Sequence, residues 1–309
     1  MNVRDVPIGM YGAVMGLTGL GLSARAAAPA LPGYVRAPAY VTEPWVAKVV
    51  RHPDAVRAEF VNPATLGFCG ALPVGMTLVA GGLAPYAPAL ADAIWLASVA
   101  LLLAFQVWGL YRVLCGGIAL GDVNGGWLIL FVGGIVLPGP GLALGHGDAA
   151  HFCFGFSAAI APLVLALLLL RAATAPPLPE QLRPTWFILL VPPSLIYGNG
   201  IALFPGFVPL ENLYYFGLVL CAALLIYARR LAAWPFGAPW WAFTFPLDAL
   251  AYAGSRYAQD HPTPLWRAMA AVTLLLAAAF VLLALLRSVL ALSFSPRSRA
   301  PRSGASPRP

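Results

Sequence analysis

The sequence predicts an all-α polytopic membrane protein, a repeat of helical hairpins in which bent helices form an inner ring around a pore. Three observations carry that expectation. The chain is 61% hydrophobic and 9% charged, with a mean hydropathy of +0.82, whereas a soluble domain carries about 25% charged residues. About nine stretches approach the roughly 20 apolar residues that a membrane helix needs. From residue 64 onward these stretches alternate between two styles, smooth runs rich in Ala and Leu and runs broken near their middle by Gly or Pro. A single Gly or Pro break is explained by close helix packing. Breaks recurring in every second span point instead to a transport path.

In order, the apolar stretch 7–24 contains GMYGAVMGLTGLG (9–21), with Gly16 in its middle, and lacks a small-residue cleavage site followed by a soluble domain. It is expected to be a retained helix rather than a signal peptide. The region 26–60 is atypical. Four prolines (Pro29, Pro32, Pro38 and Pro44) with Arg36 and Glu43 make a poor span where the repeat calls for a smooth one. Either a degenerate second helix crosses there, or the chain has nine spans and an external N-terminus. The broken spans that follow are 64–84 with Pro73 and Gly75, 126–144 with Pro138, 185–204 with Pro192 and Pro193, and 239–256. Between them run the smooth spans 88–112, 150–171, 209–230 and 267–291, expected to face lipid. Residues 1–291 thus read as one transmembrane domain. The remainder, 292–309, is rich in Ser, Pro and Arg and is expected to be a disordered basic tail.

The span beginning PWWAFTFPLDALAY (239–252) has a composition that a lipid-facing helix would not need. Pro246 removes a backbone donor and crowds the preceding turn, so a bend is expected near 242–245. Backbone freed at membrane depth survives where it is buried in protein or lines a cavity. This places Phe243, Thr244 and Phe245 at the bend as pore-lining candidates. Asp248 follows at i+3 from Phe245, on nearly the same helix face. An intramembrane carboxyl is costly and points to function by default. Two roles are open to it, a hydrogen bond to Asn199 or a tyrosine, or coupling of anion movement to protons.

Charge supplies an orientation. The smooth spans end in Arg112, Arg171 with Arg183, Arg229 with Arg230, and Arg287, while the loops 81–88, 145–150 and 205–211 contain no Lys or Arg. By the positive-inside rule these ends and the C-terminus are cytoplasmic, in an inner (plasma) membrane. The loop 254–267, with Arg256 and Arg267, fits less well. The net charge of +7 is therefore topological, and no nucleic-acid partner is expected. Cys69, Cys115, Cys153 and Cys221 show no paired spacing. His146, Asp148 and His151, in HGDAAH, offer three metal ligands in one short connection, but helix capping by Asp148 explains them more simply. No metal, cofactor or catalytic residue is expected.

WWAFTFP (240–246), LRPTWFILLVPPS (182–194), RHPDAVRAEF (51–60) followed by LPVG (72–75), and the glycine pattern at 9–21 resemble the tellurite-resistance and C4-dicarboxylate transporter family. That family includes the plant guard-cell slow anion channels and a bacterial tellurite-resistance channel homologue. The resemblance covers most of residues 7–291. It implies ten helices in five hairpins, odd helices bent around a pore in each subunit, and a homotrimer in the lipid bilayer. It also implies that the phenylalanine before the proline or glycine of the ninth helix plugs the pore, which by motif is Phe245. Without the resemblance that ring would read as a packing aromatic. The degenerate second helix departs from the family pattern, as does Asp248, whose carboxylate would repel an anion. The function implied is a channel or transporter for small inorganic or dicarboxylate anions. The alternatives are a proton-coupled exporter of C4-dicarboxylate, sulfite or tellurite using Asp248, and an intramembrane metal-dependent enzyme using the His146 cluster.

Overall fold

The computed structural model describes residues 4, 7–27 and 47–293. Of the atypical region 26–60, where the second helix is in question, residues 28–46 lie outside the described residues, as does the basic tail from 294 onward. Helix α1 is Tyr11–Ala27 and α2 is the short, superficial Pro53–Val61. Then come α3 (Pro63–Leu83), α4 (Pro88–Leu114), α5 (Gly126–Ala143), α6 (Gly147–Thr174), α7 (Glu180–Leu203) and α8 (Val208–Ala233). Helix α9 combines a 3-10 segment, Ala238–Phe243, with an α segment, Thr244–Asp260, and α10 is Pro264–Ser293. No strand occurs among the described residues. Seven of these helices (α3 to α8 and α10) are long and apolar enough to cross a membrane.

Burial separates the two styles of span. The broken helices α3, α5 and α7 are 72%, 72% and 83% buried, whereas the smooth helices α4, α6, α8 and α10 are 28%, 33%, 22% and 22% buried. An inner set is thus wrapped by an outer set that presents apolar side chains such as Leu163, Val219 and Leu275 outward. Helix α9 joins the inner set, since Thr244 to Ala251 are all buried, and it packs between α1 and α10.

The prolines explain where the inner helices break. Each of α3, α7 and α9 starts as, or passes through, a 3-10 segment and then continues as an α-helix. Pro73 is the third residue of the α segment Ala71–Leu83, Pro192 and Pro193 are the second and third of Val191–Leu203, and Pro246 is the third of Thr244–Asp260. Pro138 opens the last α segment of α5. In the first turn of a helix the missing N–H has no i−4 carbonyl to lose, so proline is tolerated there and marks the restart.

A broken helix leaves backbone groups to be satisfied, and neighbouring helices supply the partners. In α5, Phe131 O accepts from Gln106 Nε2 at 3.2 Å, Leu137 O from Trp95 Nε1 at 3.1 Å, and Ile135 O from Asn199 Nδ2 at 2.7 Å. The Gly134 N–H donates to Ser157 Oγ at 3.1 Å. Side chains of the outer helices α4 and α6 and of the inner helix α7 thereby hold the break of α5 in place.

Helix α1 is fitted to α9 by small residues one turn apart. A Cβ on Gly12 would lie 3.4 Å from Trp241 Cβ, one on Gly16 only 1.9 Å from Thr244 Oγ1, and one on Gly19 2.9 Å from Asp248 Oδ2 and 3.0 Å from Phe245 Cδ2. Ser23 ends the ladder, donating from Oγ to Asp248 O at 2.8 Å. The spacing 12, 16, 19, 23 keeps one helix face, and the two backbones approach because that face has almost no side chain.

Candidate functional site

Two cavities lie inside the inner set, of about 200 Å³ and about 250 Å³. The first is lined by the N-terminal halves of the bent helices, among them Met15, Val74, Ile129, Val191 and Trp241. The second is lined by their C-terminal halves, among them Leu22, Leu78, Gly139, Leu195 and Tyr252. No residue of the smooth helices α4, α6, α8 or α10 lines either one. Two residues line both, Phe245 of α9 and Val136 of α5. The Phe245 ring also lies close to α1, where a Cβ added at Gly19 would be 3.0 Å from Phe245 Cδ2.

The first cavity is nearly all apolar. Its charged group is Glu59, at the end of α2, which accepts from Lys48 Nζ at 2.6 Å and from the Ile8 N–H at 3.3 Å. Lys48, the single lysine of the chain, is itself buried. In the second cavity the polar wall comprises Ser23, Asn199, Asp248 and Tyr252. Tyr252 donates from its hydroxyl towards Gly198 O at 3.4 Å and Asn199 Oδ1 at 3.3 Å. Asp248 is 1% exposed, and neither of its carboxyl oxygens has a hydrogen-bond partner among the described residues. Among the described residues no Lys or Arg lines either cavity.

The residues singled out from sequence separate into two groups. Phe245, Pro246 and Asp248 line the cavities. Gly16, Pro73, Gly75, Pro138, Pro192, Pro193, Phe243 and Thr244 are not among the residues lining these two cavities. Gly16 and Gly75 serve helix contact, Gly16 against Thr244 and Gly75 against Tyr11, Val14 and Met15. Phe243 is fully buried among Phe187, Trp240 and Phe280. Two residues apart on a helix means about 200° of rotation, so Phe243 and Phe245 face opposite ways. Thr244 turns towards α1, and its hydroxyl donates to Trp241 O at 2.8 Å rather than to the cavity. The prolines mark the breaks, while neighbours such as Val74, Val136, Gly139 and Val191 form the wall.

Asn199 was a candidate partner for Asp248, yet its amide binds Ile135 O and its carbonyl meets Tyr252. The HGDAAH residues diverge. His146 Nε2 contacts Asp92 Oδ1 at 2.5 Å, and His151 donates from Nδ1 to Gly147 O at 2.9 Å. Asp148 stands in the first turn of α6 behind His146, which holds the capping position, so the expected cap is one of charge against the helix dipole only. No three His, Cys, Asp or Glu side chains converge as metal ligands among the described residues. Val136 went unnoticed in the sequence because an apolar residue within VGGIVLPGPG carries no signal of its own.

Compared with known proteins, residues 5–289 match a family model described as voltage-dependent anion channel. A stretch of 121 residues is 26% identical to the S-type anion channel SLAH2 of Arabidopsis thaliana. That alignment covers 39% of this chain and 23% of the plant protein, less than a quarter of its length.

Proposed function

The chain belongs to the voltage-dependent anion channel family, and from that premise we propose that it conducts small anions along the two cavities, with Phe245 as the closed gate between them. The observation that carries this reading is the partition. Among the described residues only Phe245 and Val136 contribute to both cavities, so one aromatic ring and one isopropyl group stand between two spaces. Closing a narrow apolar constriction to ions needs only bulk and dewetting.

The wall suits conduction better than capture. A path without a strong binding charge lets ions leave. Attraction comes instead from the α segments that begin midway along α3, α5, α7 and α9. They run from the first cavity towards the second, so the positive ends of their dipoles point at the first. With the arginine-rich helix ends taken as cytoplasmic, the first cavity faces the cytoplasm. An inner-membrane address, a cytoplasmic C-terminus and a homotrimer belong to the same proposal, as does the absence of catalysis.

The test is chloride flux in liposomes holding purified protein at symmetric pH. The expected result is a nearly silent wild type and a conducting Phe245→Ala. Silence in both, with the variant folded, would refute the gate. Competition by nitrate, sulfite, tellurite and C4-dicarboxylates in the conducting variant assigns the substrate.

A further inference from the structure

We infer that the second cavity contains a proton-binding site at Asp248, and that an anion occupies the path beside Phe245 only while that carboxyl carries a proton. This rests on the anion-path reading and adds to it the condition under which the path is open.

Four observations converge on Asp248. It lines the second cavity and is almost fully buried. Among the described residues both carboxyl oxygens lack a partner, while the backbone carbonyl of the same residue is tied to Ser23. It stands one helical turn from Phe245, and the two side chains press on the same glycine, Gly19. The side-chain amide on the same cavity wall, that of Asn199, is engaged elsewhere. A buried carboxylate without a cation or donors is strongly disfavoured, and a second negative charge in the same cavity would be disfavoured further. A neutral carboxyl in that position has the opposite effect, because its O–H can donate to the anion. The proton and the anion therefore favour each other.

The surroundings leave no other group to do this. The remaining titratable group on the cavity wall is the Tyr252 phenol. Charges on α9 and on the elements packed against it sit at helix ends: Arg25 in the last turn of α1, Glu180 paired with Arg183, Glu211 facing His261, Arg229 and Arg230 near the end of α8, Asp260 at the end of α9, and Arg287 over the Trp240 ring. Arg267 lies in the first turn of α10. On α9 itself Arg256 is two turns further on, directed to Gln259.

The experiment uses the full-length protein in liposomes and reads chloride flux at acid and alkaline symmetric pH, in a Phe245→Ala background. Acidification is expected to raise flux on the order of tenfold or more, the size of a typical coupling between two interacting ligands. Adding Asp248→Asn, or Asp248→Ser as a second neutral variant, is expected to leave flux high at both pH values. An unchanged pH dependence in those variants overturns the proposal and leaves the conduction reading standing. If Phe245→Ala carries no chloride at all, the conduction reading fails and infrared difference spectra of wild type against Asp248→Asn decide the proton site separately. Chloride is expected to raise the proton affinity of the Asp248 carboxyl about tenfold, reciprocally with its own binding. A carboxyl band that chloride does not move, or an Asp248 ionised throughout, overturns it.

Discussion

Replacing Gly16 by alanine tests the contact between α1 and α9 on which the gate is mounted. The added methyl would lie 1.9 Å from Thr244 Oγ1 and 2.7 Å from Thr244 Cβ. Carbon–carbon and carbon–oxygen contacts need more than 3 Å, so either α1 retreats from α9 or Thr244 leaves its bond to Trp241 O. Overpacking of this kind costs about 1–3 kcal/mol. Alanine also gains about 1 kcal/mol over glycine inside a helix, which lowers the net loss. Gly75→Ala is the matched control, since its methyl would meet nothing nearer than Tyr11 Cδ1 at 3.6 Å. Gly75→Ala should therefore be neutral or slightly stabilising, while Gly16→Ala should lose up to about 2 kcal/mol net. The assay is thermal unfolding of the detergent-solubilised protein, followed by tryptophan fluorescence. Thr244→Ala in the Gly16→Ala background removes the hydroxyl clash and keeps the Cβ clash, so it should restore part of the loss. Equal behaviour of Gly16→Ala and Gly75→Ala would refute a close contact at Gly16 and return that residue to the list of candidates for the pore wall.

Phe243→Ala should cost about 3–5 kcal/mol of stability, as a fully buried ring in an aromatic cluster does, without opening the path. Unfolding curves beside chloride flux separate it from Phe245→Ala, and flux through Phe243→Ala would contradict the opposite facing of the two rings. Single cysteines in a cysteine-free background should react with a water-soluble thiol reagent at positions 74, 139 and 191, and far less at 73, 138 and 192. The reverse pattern would show the prolines on the wall.

The membrane class and the alternation of bent and smooth helices were readable in the sequence, whereas Phe245 became a gate candidate only through the family resemblance. Hydropathy acts residue by residue, and a smooth Ala/Leu run suits lipid wherever it sits. A proline in the first turn of an α segment fixes a break by local backbone chemistry alone, which is why breaks were legible in α3, α5, α7 and α9. Which side of each broken helix meets the cavity was not. Every residue turns a helix by about 100°, so Pro73 and Val74 would exchange places on a rotation of about 100° about the axis, and Phe243 and Phe245 on one of about 200°. That rotation is set between helices, where Gly12, Gly16 and Gly19 of α1 receive Trp241, Thr244, Phe245 and Asp248 of α9. The same packing brings Val136 to the partition beside Phe245 and takes Asn199 away from Asp248 to the open carbonyl of Ile135. Local chemistry determined the elements. Contact between residues distant in the chain decided which atoms face the path, because only there do side-chain volumes and unpaired backbone groups of different helices compete for the same space.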